Sequence, residues 1–263
     1  MNFYGEVLEF MLTRKLISCS DRVLVVCGGK YDRDAFENLG FENVVISNLD
    51  HHGGVSDYSP YLWELQDAEQ LTGEADSFDW VFVHAGLHHC GSPHKGLCEM
   101  MRVAKRGVGV FEARDSFLVR LGVRFGFVAD YELEPVALSE GKHGGYRNSA
   151  IPNFVYRWTE REVEKTVNSG FPAYEHKFHY FYRFRLPTGR LSLSRNPMMR
   201  IGIKAIGVVV PLIEMFFRKQ GNQFAFVVTK RETLHPWLLV KDVEAEPNME
   251  YFRKRFDIEK YQR

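Results

Sequence analysis

Apolar residues at Val7, Leu8, Met11, Leu12, Leu16 and Ile17 recur three and four positions apart, so residues 6–17 are expected to form an amphipathic helix. The period then changes. Val23-Leu24-Val25-Val26 is an unbroken apolar run stopped by Cys27-Gly28-Gly29, and it reads as a strand buried on both faces. A short helix over 31–39 follows, with Gly40 as its stop. Asn43-Val44-Val45-Ile46-Ser47 and Trp80-Val81-Phe82-Val83 repeat the buried-strand pattern, with a shorter segment at 63–67 between them. A helix over 93–105 ends at Lys105-Arg106-Gly107 and hands over to a strand at Val108–Glu112. Strand and helix alternate across 20–113, which predicts an α/β fold: a doubly wound, mostly parallel sheet with helices on both faces.

Beyond 113 this rhythm stops. Thr159 followed by Glu162 predicts a capped helix start, and Gly170 and Pro172 its end. His176–Phe184 is aromatic-rich and reads as a strand, Met198–Arg218 as a helix, and Gln223–Lys230 as a last strong strand. The expected division is therefore a core at 1–113, an inserted lid region at 114–218, a final core strand at 219–231, and a solvated C-terminal appendage at 232–263. That appendage rests on seven acidic and seven basic residues in 231–263.

Composition narrows the function classes. Thirty-four Lys+Arg balance 34 Asp+Glu, which argues against a nucleic-acid binder. Residues 176–213 are the exception, with Lys177, Arg183, Arg185, Arg190, Arg195, Arg200 and Lys204 and no acid. This stretch is either a solvated face or a site for an anionic substrate. With the apolar 201–217 segment, 176–217 also suits peripheral contact with an anionic membrane. Charges and Pro211 interrupt that segment too often for a membrane span. The four cysteines form no CxxC pair, and the first residues lack the basic-then-apolar pattern of a secretory signal, so a reducing, cytoplasmic setting is expected.

Candidate chemistry collects where strands end. Gly28-Gly29 allows a sharp turn and close approach of a ligand. Asp50 follows the second strand, placed to accept from two ribose hydroxyls, and Asp67 precedes the next, placed to accept from an adenine amino group. Together they specify a nucleoside cleft. The runs Asp67-Ala68-Glu69-Gln70-Leu71, Ser77-Phe78-Asp79-Trp80-Val81, Leu87-His88-His89 and Glu99 to Gly107 resemble the class I S-adenosylmethionine-dependent methyltransferases, and within them the small-molecule "type 11" branch. The resemblance covers about 20–113 and the strand at 223–230. It implies a Rossmann-like methyltransferase fold with S-adenosylmethionine as cofactor. By the same resemblance Cys27, Gly28 and Gly29 line the methionine moiety, and Asp50 holds the ribose with Leu49 against the adenine. Asp67 and Ala68 read the adenine edge, and His84 sits beside the sulfonium. Two positions depart from the family pattern: Val25 stands where an acid is usual, and Lys30-Tyr31-Asp32 where a third glycine is usual.

For catalysis, His88 and His89 are the candidate bases, the alternative being a capped strand end. His143 and Tyr146 in the Gly-rich loop 141–149 are candidate substrate contacts on a lid, or simply an exposed loop. Asp115 either binds substrate or caps a helix. His51-His52 with Asp50 and Asp57 resembles a metal cluster, but neighbouring residues of an extended segment point to opposite sides, so no metal is expected. The implied activity is methylation of a small-molecule acceptor, an oxygen of a saccharide, glycan or other natural-product intermediate. The alternative is a non-catalytic methyltransferase-like scaffold that serves a partner subunit. An oligomer is compatible with either.

Overall fold

The computed structural model describes residues 2–49, 55–185, 210–211, 214–241 and 244–261. Its centre is a seven-stranded sheet built from β1 (Arg22–Val26), β2 (Asn43–Asn48), β3 (Leu62–Leu65), β4 (Phe78–His84), β5 (Ala104–Ala113), β8 (Tyr174–Arg183) and β9 (Gln223–Leu234). The order is β3-β2-β1-β4-β5-β9-β8. The first five strands run parallel, and β9 is antiparallel to both β5 and β8. The mostly parallel, doubly wound sheet expected from the alternation is thus observed.

Both faces are covered, which is why the strands read as continuous apolar runs. Val23, Val25, Ile46, Phe82 and Val227 face a layer with Tyr4, Val7, Leu8 and Met11 of α1 (Phe3–Thr13) and Phe36 of α2 (Lys30–Glu37). Leu24, Val26, Val83, Val110 and Phe226 face the opposite layer, with Leu97, Met100 and Met101 of α3 (Pro93–Val103). Two boundaries shift from expectation. Helix α1 starts earlier because Asn2 Oδ1 accepts the Gly5 amide at 2.8 Å, and it stops at Thr13, with Lys15 beyond it left-handed at φ 54°. Strand β5 begins at Ala104, where the backbone turns extended inside the segment expected to be helical.

Between β5 and β8 lie α4 (Phe117–Arg124), a two-stranded ribbon of β6 (Tyr131–Glu132) with β7 (Asn153–Phe154), α5 (Glu134–Leu138) and α6 (Glu160–Gly170). The capping box at the start of α6 is present: Thr159 Oγ1 accepts the Glu162 amide, and Glu162 accepts the Thr159 amide. The insertion is stitched to the core at Trp158, which is fully buried and exchanges backbone hydrogen bonds with Ala113 and Asp115. Arg114 lies over Tyr182 and Phe224 and donates two bonds to Glu160. Beyond β9 the chain forms a hairpin of β10 (Leu238–Lys241) and β11 (Glu244–Pro247), then the short helices Met249–Arg253 and Ile258–Tyr261. No helix among the described residues is long and apolar enough to cross a membrane. Most of the expected helix over 198–218 and the basic residues Arg190, Arg195, Arg200 and Lys204 lie outside the described residues.

Candidate active site

Strand order reverses at β1 and β4, so their carboxyl ends frame the crevice in which doubly wound sheets bind ligands. Both strands leave the sheet through left-handed non-glycine residues, Cys27 at φ 53° and Ala85 at φ 52°. Such backbone costs about 1–2 kcal/mol per residue and is held in place by its surroundings. Here the surroundings are tight. A Cβ on Gly86 would stand 2.4 Å from Cys27 Cβ, so the two turns pack backbone against side chain. A Cβ on Gly28 would meet Ile46 Cγ2 at 2.7 Å and Val25 Cγ1 at 2.9 Å, while Gly29 faces open space. The Gly28 amide donates to Ser47 O, and Asn48 Nδ2 donates to Gly28 O, tying this turn to the end of β2 beside the exposed Leu49. Gly28→Ala is expected to cost about 1–3 kcal/mol through overpacking. Chemical denaturation checks this; an unchanged midpoint would mean that Ile46 gives way freely.

The departures from the family pattern have structural counterparts. Val25 is fully buried in the sheet. The Tyr31 ring, in place of a third glycine, lies 4.9 Å from His84, Tyr4 stacks on the same imidazole at 5.2 Å, and the two tyrosine rings lie 6.0 Å apart. Burial lowers the pKa of His84, which favours its neutral form. Asp32 is buried at the first turn of α2, and its Oδ2 accepts the Gly29 amide at 2.9 Å. The Tyr4 hydroxyl and Asp32 Oδ1 are buried beside this turn without a well-formed hydrogen bond among the described residues. Asp50, His51 and His52 lie outside the described residues.

Asp67 and the buried Ala68 follow β3 in a tight turn. The Asp67 carboxylate receives Arg147 at 2.7 Å, and Glu69 receives Arg147 at 2.8 Å together with the amides of Gly91 and Ser92. The 141–149 loop is thereby clamped over the ends of β3 and β4. Tyr146 is half-exposed on that loop and its hydroxyl approaches Gly91. His143 is half-buried, and its carbonyl accepts from Ser139. Asp115 does not cap α4, because Ser116 Oγ does, accepting the Val119 amide. The Asp115 side chain instead lines a pocket of about 280 Å³ with Val119, Arg120, Asp130, Tyr156 and Arg157.

His88 and His89 occupy a single 3-10 turn, Leu87–His89, just past β4. Glu112, at the end of β5, has a fully buried side chain. Its Oε1 accepts the Leu87 amide and its Oε2 accepts His88 Nδ1, each at 2.7 Å. His88 Nε2 lies 3.2 Å from Glu132 Oε2, and His89 Nε2 lies 3.5 Å from the same oxygen. His89 Nδ1 donates to Gly145 O at 3.2 Å. Burial disfavours a charged His88, but the carboxylates of Glu112 and Glu132 outweigh it and push its pKa up to about 10. Burial and the neighbouring His88 lower that of His89. The pair is therefore split into one ring disposed to be charged and one disposed to be neutral.

Four residues of this site are absent from the sequence expectations: Glu112, Glu132, Glu69 and Arg147. Glu112 had a signal, a lone acid closing an apolar strand. Glu132 lies 44 positions from His88 in a two-residue strand, and Arg147 lies 78 from Glu69; only the fold brings these together.

Residues 34–111 match the family model described as a methyltransferase domain. No curated protein sequence matches the chain. Among solved structures, a candidate methyltransferase of Bacillus halodurans C-125 has a TM-score of 0.54 at 15% identity, covering 87% of this chain and 100% of that one. YcgJ of Bacillus subtilis has 0.53 at 14%, covering 87% and 99%. A magnesium protoporphyrin IX methyltransferase of Synechocystis PCC 6803, solved with bound SAH, has 0.50 at 11%, covering 87% and 82%. At such identities the likeness is one of fold. The fold is that of the class I methyltransferases, and the methyltransferase domain implies S-adenosylmethionine as the cofactor.

Proposed function

We propose that this chain, a methyltransferase domain on a class I methyltransferase fold, moves the methyl group of S-adenosylmethionine to an oxygen of a small, sugar-like acceptor. The observation that carries the oxygen assignment is the His88–His89–Glu132 cluster at the carboxyl end of β4. A hydroxyl acceptor must lose a proton as the methyl arrives, whereas direct displacement otherwise needs only alignment. A cluster of two imidazoles and a carboxylate at that edge suits handling of this proton. When bound, the cofactor supplies an electrophilic methyl on a sulfonium. Cys27, Gly28 and Gly29 take its methionine end in this reading, which the open space beside Gly29 supports. Asp50 takes the ribose with Leu49 against the adenine, Asp67 and Ala68 read the adenine edge, and His84 lies near the sulfonium. His84 in its neutral form adds no charge repulsion there.

The saccharide assignment has two supports. The pocket behind the β6–β7 ribbon combines carboxylates and guanidinium groups with the rings of Phe154 and Tyr156, a lining that suits hydroxyls on one side and a sugar face on the other. Lys177, Arg183 and Arg185 begin the acid-free stretch, which favours an anionic acceptor such as a phosphate-linked sugar and contact with an anionic surface through 176–217. In this reading His143 and Tyr146 contact the acceptor from the lid loop, and Asp115 from the pocket.

Calorimetric titration with S-adenosylhomocysteine tests the cofactor cleft. Micromolar binding is expected, weakened at least about 100-fold in Asp50→Ala, because two charge-assisted hydrogen bonds of about 1.5–3 kcal/mol each are removed. Absence of binding at millimolar ligand would sink the reading and leave a non-catalytic scaffold. With binding established, methyl transfer is assayed on sugar nucleotides and glycolipids.

A further inference from the structure

We propose that His88, His89 and Glu132 form a binding site for one divalent transition-metal ion at the acceptor end of the cleft. The ion's role rests on the methyl-transfer reading; the site itself rests on geometry. Two imidazole Nε2 atoms converge on one carboxylate oxygen, at 3.2 and 3.5 Å. Ligands bound about 2.1 Å from one ion, at angles between octahedral and tetrahedral, stand about 3.0–3.4 Å apart. Both imidazole–carboxylate separations already stand close to the edges of such a polyhedron, and all three ligand atoms lie within 4.8 Å of one another.

The outer partners fix the tautomers. Glu112 and the Gly145 carbonyl can only accept, so Nδ1 of each ring carries a hydrogen; the Nε2 of neutral His89 turns a lone pair toward Glu132, and that of His88 does so once an ion displaces its second proton. A histidine tied through one nitrogen to a carboxylate or a carbonyl is the usual outer arrangement of a metal ligand. Without a cation the His89 lone pair and the Glu132 carboxylate oxygen oppose each other at 3.5 Å. One shared proton relieves the contact at His88 and leaves the His89 contact in place. A divalent ion relieves both, and its two charges balance those of Glu112 and Glu132. The backbone explains how adjacent histidines share a target: in a 3-10 turn their ring centroids are 4.5 Å apart, whereas an extended segment would point them apart.

Two imidazoles and one carboxylate select first-row transition ions over magnesium or calcium, and three protein ligands leave positions open. An acceptor hydroxyl held there is acidified. Its O–H bond breaks with the proton released to solvent. The new C–O bond then forms as the C–S bond of the sulfonium breaks, and sulfur keeps the electron pair.

The test uses the full chain, stripped with chelator and dialysed against Zn²⁺ or Co²⁺, with metal content and the visible spectrum of the Co²⁺ form as readouts. One equivalent at micromolar free metal is expected, with the affinity lowered at least about 100-fold in His89→Ala and in Glu132→Gln. His179→Ala on β8 and the double variant His51→Ala/His52→Ala should bind as the parent does. Absence of metal at stoichiometric level would overturn the proposal, as would full binding by His89→Ala or its loss in the His51/His52 variant. Thermal melts establish that each variant is folded. Binding of S-adenosylhomocysteine, measured separately, distinguishes failure of the metal site from failure of the methyl-transfer reading.

Discussion

Asp32→Asn is expected to raise the stability of the protein at pH 8 by up to about 4 kcal/mol. It is also expected to remove a decline in stability that the parent shows between about pH 4 and pH 7. Burial pushes the Asp32 carboxyl up to about 7, and the Gly29 amide offsets this only in part. The ordinary value of an aspartate is about 3.9, and each unit of displacement is worth about 1.4 kcal/mol. The folded chain therefore holds this proton more tightly than the unfolded chain. Its stabilising effect is complete below pH 4 and is lost as pH rises through 7. Asn keeps an oxygen for the Gly29 amide and offers an N–H toward the buried Tyr4 hydroxyl, so it removes the charge and keeps the turn. Urea unfolding at a series of pH values, parent minus variant, isolates the effect. Parallel curves would mean that Asp32 is solvated in the folded chain.

Glu112→Gln is expected to destabilise the metal-stripped protein by about 3–5 kcal/mol, the range for breaking a buried charged pair. Each carboxylate oxygen of Glu112 accepts one hydrogen bond, from the Leu87 amide and from His88 Nδ1. Glutamine has one oxygen, so with the Leu87 amide kept on it the NH₂ faces His88 Nδ1, which can accept only by giving up its hydrogen and with it the ring's charge. The side chain is fully buried, so solvent does not replace the lost charge pairing. Equilibrium urea unfolding of the parent and the variant gives the difference directly. A loss below about 1 kcal/mol would show that His88 carries no charge opposite Glu112 in the stripped state.

The sheet was legible because burial on both faces removes alternation from the pattern. Val23–Val26, Val44–Ile46 and Val81–Val83 are apolar throughout, and they appear within β1, β2 and β4. The cap at Thr159–Glu162 was legible because both its bonds are local. Strand β3 was only outlined, since this edge strand is largely exposed and its Leu62 and Leu65 face outward. At the site, the residues on strand ends could be named from order alone. The partners that set their chemistry could not. Glu132 and Gly145 reach the histidines from an insertion with no periodic signal, and the pairing of Arg147 with Asp67 and Glu69 depends on where a Gly-rich loop lands. Adjacent histidines also read differently in a 3-10 turn than in a strand, and the sequence around Leu87 does not announce which is present.

Strand β9 has one further implication, for the order in which the molecule is made. It lies between β5 and β8, bonded to both, yet it is the last of the seven to leave the ribosome. Until Gln223–Leu234 emerges, β5 ends the growing sheet with an unpaired apolar edge, and β8 has no neighbour to join. Such edges recruit other chains. The nascent protein therefore passes through an interval, lasting for the synthesis of the whole insertion, in which its half-built sheet is open along β5. Closure comes in one step when β9 enters the gap.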